Sequence, residues 1–107
     1  MARFKPYHGK DKYHFRIYKR VKHPFIVVEI NETHRTISGY VITTSPTSRK
    51  KYLLLSKNPN PNDFKKSFVT TYRITDKFSC FSKPYNNWHL AKKDEDLIDS
   101  IERYKTI

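Results

Sequence analysis

Two apolar runs separated by a short polar break constrain this chain most. The first is Phe25-Ile26-Val27-Val28-Glu29-Ile30 and the second Ile37-Ser38-Gly39-Tyr40-Val41-Ile42-Thr43-Thr44, with Asn31-Glu32-Thr33-His34-Arg35 between them. β-Branched side chains lose rotamer freedom in a helix and fit a pleated surface well, so both runs predict strands. The first run is continuous rather than alternating, which predicts a strand buried on both faces. The polar break reads as the turn joining them.

The same reading extends along the chain. From Tyr13 to Val21, Tyr13, Phe15 and Ile17 alternate with His14, Arg16 and Tyr18, the period of a strand. Lys51 to Leu55 and Ser67 to Ile74 read as further strands. Lys57-Asn58-Pro59-Asn60-Pro61-Asn62-Asp63 reads as a loop, because two prolines oppose both helix and ladder pairing. Ser45-Pro46-Thr47-Ser48 and Lys83-Pro84-Tyr85-Asn86-Asn87 read as breaks. Leu97, Ile98, Ile101 and Tyr104 fall at helical spacing, preceded by Asp94, Glu95 and Asp96, whose charges favour a helix N-terminus. These elements predict one mainly β domain over residues 1–107: a basic arm at 1–12, a small β-barrel at 13–90 and a C-terminal helix at 91–105. A chain of 107 residues supports one modest core.

Charge narrows the partner class. Lysine and arginine number 22 against 10 acidic residues, a formal net charge of +12. The excess is concentrated before the terminal helix: residues 1–93 hold 20 basic and five acidic residues, a formal +15. Such a field draws phosphate backbones through counterion release. Eight tyrosines and seven phenylalanines are interleaved with these cations, the mixture that base stacking uses, although core packing claims most aromatic rings. A lysine-rich surface that only keeps the protein soluble is the plain alternative. Cys80 is the single cysteine, so no internal disulfide forms and a cytoplasmic location is expected. No apolar run reaches the length of a signal peptide or a membrane span. Five scattered histidines and one cysteine lack the close paired spacing of zinc ligands, so neither a metal nor another cofactor is expected. Two glycines leave no material for a glycine-rich phosphate loop.

Four segments occur in a familiar order: His23-Pro24-Phe25-Ile26-Val27-Val28, then Val41-Ile42-Thr43-Thr44-Ser45, then Ser67-Phe68-Val69 with Arg73-Ile74-Thr75-Asp76-Lys77, then Leu90 through Asp94-Glu95-Asp96-Leu97-Ile98. In this the chain resembles the MazF/PemK family of bacterial toxins over roughly residues 22 to 104. The resemblance implies a small SH3-like β-barrel with a C-terminal helix. It also implies metal-independent, sequence-specific cleavage of single-stranded RNA, a homodimer, and inhibition by an acidic antitoxin protein. The family places an arginine before the proline, where this chain has His23, and the family's opening strand and long loop are shortened here to Tyr13–Lys22.

Cleavage without a metal needs a base for the 2′-hydroxyl, an acid for the leaving 5′-oxygen and donors for the charged phosphorane. Histidine suits proton transfer because its unperturbed pKa of about 6.5 lies near working pH. The expected catalytic set is therefore His23, Thr44 and Arg16. Thr44 enters mainly through the resemblance, since hydroxyls ahead of Pro46 also cap turns. Lys22, Ser45, Arg49, Lys50 and Lys51 are expected to hold the RNA backbone, positioning it without reading bases. Tyr40 and Tyr72 are expected to stack on bases, with Tyr52, Tyr85 and Trp88 as further candidates. Cys80 has no neighbouring base to activate it. The competing expectation is a non-catalytic barrel that binds nucleic acid or inhibits a nucleic-acid enzyme, which the replaced arginine favours.

Overall fold

The computed structural model describes residues 15–46 and 51–105. Seven strands form an antiparallel sheet: β1 (Ile17–Arg20), β2 (His23–Asn31), β3 (Thr36–Thr43), β4 (Tyr52–Leu54), β5 (Phe68–Thr70), β6 (Ile74–Lys77) and β7 (Phe81–Pro84). A three-residue 3-10 turn, Phe78–Cys80, joins β6 to β7, and one helix, α1 (Lys92–Lys105), closes the described chain. The strand order is β4-β5-β3-β2-β1-β7, with β6 also paired to β3. The chain is thus mainly β with a C-terminal helix, and its sheet does not close into a continuous barrel among the described residues. No helix among the described residues is long and apolar enough to cross a membrane.

The continuous apolar character of β2 and β3 is explained by a core on each side of the sheet. Alternate residues enter opposite clusters: Ile17, Ile26, Tyr40 and Ile42 face one, while Tyr18, Phe25, Val27 and Val41 face the other. The first cluster receives α1 through Ile98, flanked by Leu97 and Ile101. The second lies on the opposite face, where Ile74, Phe78 and Phe81 reach it from β6, the 3-10 turn and β7.

Two irregularities bend the sheet. Between Val27 and Glu29 the β2 register with β3 slips by one residue, and Gly39 sits opposite that bulge. A Cβ on Gly39 would lie 1.8 Å from the Ile26 carbonyl oxygen, so only glycine allows the two strands to approach this closely. The second irregularity separates β5 from β6. The expected strand from Ser67 to Ile74 is interrupted at Thr71–Arg73: extending the Ile42↔Val69 register would bring Tyr72 opposite Gly39, yet Ile74 occupies that position. Two residues are taken up in the bend, and Thr70 Oγ1 accepts the Val41 N–H at 3.2 Å, replacing a ladder bond.

The break expected at Lys83–Asn87 begins later than its proline suggests. Pro84 ends β7 and pairs with Tyr18. β7 is the last strand in the sheet order, and an edge strand tolerates a residue without an N–H. The alternation read from Tyr13 onward meets a strand that starts at Ile17, with Ile17 and Tyr18 both buried. The basic arm at 1–12 lies outside the described residues.

Candidate nucleic-acid interface

The β1–β2 hairpin is joined by two residues, Val21 and Lys22, between the paired Arg20 and His23. A positive φ of 55° at Val21, the first central residue, is the signature of a turn that glycine usually makes. The turn leaves Lys19, Lys22 and His23 exposed around a 63% exposed Val21.

Strand register carries this hairpin end across the sheet. The β2–β3 register ends at Phe25↔Val41, two residues short of His23 on β2 and of Thr43 on β3; Thr43 pairs with Phe68, which in turn pairs with Leu54. Two sets of paired residues, Arg20 with His23 and Thr43 with Phe68 and Leu54, therefore lie at the same end of the sheet. Thr43, Thr44 and Ser45 follow directly, and the Ser45 N–H donates to Thr43 Oγ1 at 3.1 Å. That bond turns the chain and leaves Thr44 and Ser45 exposed at the rim. Lys65 and Lys66, both exposed, precede β5 at the same end.

The rim brings together His23, Lys22, Thr44 and Ser45 from the expected set. Arg16 is not among them. Its carbonyl accepts the Val27 N–H at 2.9 Å, which sets it level with Val27. That is four residues before Arg20, just ahead of β1, roughly 13 Å at the usual rise of a strand. The guanidinium on the row of His23 is Arg20, which pairs with Asp76 through Nε at 2.9 Å and Nη2 at 2.7 Å. Asp76 is held below the ordinary carboxylate value, first by a hydrogen bond from the Cys80 thiol and then by Arg20. The carboxylate thus stays ionised and fixes Arg20 in place. The same bond, 3.2 Å from Cys80 Sγ to Asp76 Oδ1, pushes the thiol pKa up and disfavours the thiolate. Cys80 is half-buried and sits in this cluster rather than in the core.

Tyr40 must be withdrawn as a stacking residue. Its ring is fully buried, and its hydroxyl donates to Glu102 of α1. Tyr85 and Trp88 stack on each other at 4.3 Å between centroids and pack, partly buried, against the helix-side core, so one face of each ring is already occupied. Tyr72 is 41% exposed, in the bend between β5 and β6. Lys51 is exposed, and its carbonyl accepts the Thr71 N–H at 2.9 Å, level with the far end of β5 from the rim. Arg49 and Lys50 lie outside the described residues. Sequence reasoning missed Arg20, whose role follows from hairpin pairing alone, and Phe64, which is almost wholly exposed. The signal for Phe64 was present: an aromatic between Asp63 and Lys65 with no apolar neighbour to cover it.

No family model, curated protein or solved structure matches this chain. The functional reading therefore rests on the rim itself.

Proposed function

We propose that this protein grips single-stranded RNA on the rim formed by the β1–β2 hairpin and the end of β3, and cleaves it as a MazF/PemK-like ribonuclease with an SH3-like sheet. The observation that carries the reading is that His23 and Thr43 each lie two residues beyond the last β2–β3 pair, Phe25↔Val41, at one end of the sheet, with Lys22 and the Thr44–Ser45 segment exposed next to them in the chain, whose net charge is +12. In this reading His23 takes the proton of a 2′-hydroxyl. The 2′-oxygen bonds to phosphorus, the P–O5′ bond breaks, and the 5′-oxygen takes up a proton, leaving 2′,3′-cyclic phosphate and 5′-hydroxyl ends. Thr44 and Ser45 donate to phosphate oxygens, and Arg20, rather than Arg16, supplies the nearby positive charge. Lys19 and Lys22 hold the backbone. An acidic antitoxin segment complements the same cationic rim, and homodimerisation belongs to the same family reading.

One observation favours binding without cleavage. Arg20 is already neutralised by Asp76, and Arg16 stands ahead of β1, four residues before Arg20, so the rim holds less free positive charge beside His23 than phosphorane stabilisation uses. Incubation with mixed-sequence RNA in EDTA separates the two. Sequence-restricted cuts with cyclic phosphate ends, abolished in His23→Ala while RNA is still bound, support the nuclease. Retention of intact RNA supports the binder, and no retention at all contradicts both.

A further inference from the structure

The loop between β4 and β5 displays an aromatic ring that the fold does not use. Phe64 is 96% exposed, more than any other large apolar side chain described. Leaving a benzyl group in water forgoes the free energy of its burial. The backbone beneath it is nevertheless firmly built. Asn58 Oδ1 accepts the Asn60 N–H at 2.9 Å, Asn60 Oδ1 accepts the Asn62 N–H at 3.0 Å, and Asp63 Oδ1 accepts the Lys65 N–H at 2.9 Å. Asn58 Nδ2 then donates to the Lys65 carbonyl at 3.0 Å, tying the two ends of the loop together. Pro59 is buried, and its carbonyl accepts the His89 N–H at 3.2 Å, which fastens the loop to the body. The alternating Pro-Asn sequence is thus a chain of side-chain-closed turns that hold Phe64 outward.

Chemistry around the ring selects its occupant. Lys65 and Lys66 follow directly, are exposed, and have no salt bridge among the described residues. Protein interfaces bury an apolar cluster at their centre. Here Phe64 is flanked in the chain by Asn62, Asp63, Lys65 and Lys66, and the other exposed large apolar side chains described, Val21, Leu53, Leu54 and Tyr72, lie on other elements. A flat apolar face beside two cations matches a nucleobase with its phosphates. After Lys66 the chain enters β5 at the rim, where Phe68 pairs with Thr43.

We infer that Phe64 is a stacking platform for an unpaired base of single-stranded nucleic acid, with Lys65 and Lys66 holding the adjoining phosphates. The inference rests on the RNA-binding reading above but commits to a contact apart from the row of His23. Because the loop is ordered in advance, little entropy is lost when the base arrives.

Fluorescence anisotropy with a labelled single-stranded RNA of about 12 nucleotides, and with an abasic ribose-phosphate chain of equal length, tests it. Phe64→Ala should weaken RNA binding about tenfold or more, the loss expected for one stacked base, without changing the salt slope. The abasic chain should bind both proteins equally. Phe64→Trp should keep the affinity and lose tryptophan fluorescence on binding. Phe64 is too exposed for these changes to unfold the protein, and equal melting temperatures would verify that. RNA binding that is the same in wild type and Phe64→Ala overturns the stacking role and leaves the RNA reading standing. An equal loss on the abasic chain also overturns it. Failure of the wild type to bind either chain overturns both proposals.

Discussion

Val21 is strained at an exposed turn. An L-residue in the left-handed region costs about 1–2 kcal/mol, and a β-branched one is an outlier there. Its φ of 55° lies at the tip of the β1–β2 hairpin, among Lys19, Lys22 and His23. Replacing it with glycine removes the steric cost and loses little burial, against a smaller entropic penalty in the unfolded chain. Val21→Gly should therefore stabilise the fold by about 0.5–1 kcal/mol, read as a higher urea midpoint with an unchanged slope. Gly39 behaves in the opposite way. Its added Cβ would meet backbone rather than a movable side chain, so Gly39→Ala should destabilise by about 3 kcal/mol or more, measured in the same denaturation series. Both positions are plain letters in the sequence. Nothing near Val21 announces a turn, since the usual Asn-Gly or Gly-X signal is missing.

Among the elements, α1 is fixed to the sheet by polar contacts as well as by Ile98. Tyr40 of β3 donates to Glu102, and Arg73 bridges Glu102 at 3.0 Å and Glu29 of β2. Burial first, and then the Glu102 hydrogen bond, raise the Tyr40 pKa above its ordinary value of about 10. A folded value above the unfolded one means that this contribution is complete below about pH 10 and is lost as pH rises through the alkaline range. Tyrosinate absorbance should accordingly show Tyr40 ionising only as the protein unfolds. Tyr40→Phe should remove that share of the alkaline dependence and cost about 1 kcal/mol at neutral pH. A Tyr40 that titrates near pH 10 in the folded protein would contradict the tie.

Elements differ in how far they were legible. β2, β3 and the turn between them were readable because uninterrupted β-branched residues have one good use in a small domain. The helix was readable from its apolar spacing and acidic start: it was expected at 91–105, and α1 runs from Lys92 to Lys105. The β5–β6 division was not, because every residue from Phe68 to Ile74 suits a strand and the bend is imposed by the register with β3. β7 was hidden by Pro84, which signals a break unless its strand is known to lie at an edge.

At the scale of the whole molecule, four exposed lysines and the Arg20–His23 pair lie at one end of the sheet. Composition alone suggested a polyanion partner, but only pairing could show that Arg20, and not Arg16, shares the row of His23. Lys19, Lys22, Lys65 and Lys66 border that end, so RNA affinity should fall steeply with salt. Changing Lys22 and Lys66 together to alanine should flatten the dependence by up to about two phosphate contacts. The most direct test is to add single-stranded RNA to ¹⁵N-labelled protein and map the amide shifts. The account predicts changes at Lys19–His23, Thr43–Ser45 and Phe64–Phe68, with α1 and the Arg73 bend left undisturbed. Shifts confined to α1 or to that bend, or no shifts at all, would contradict it.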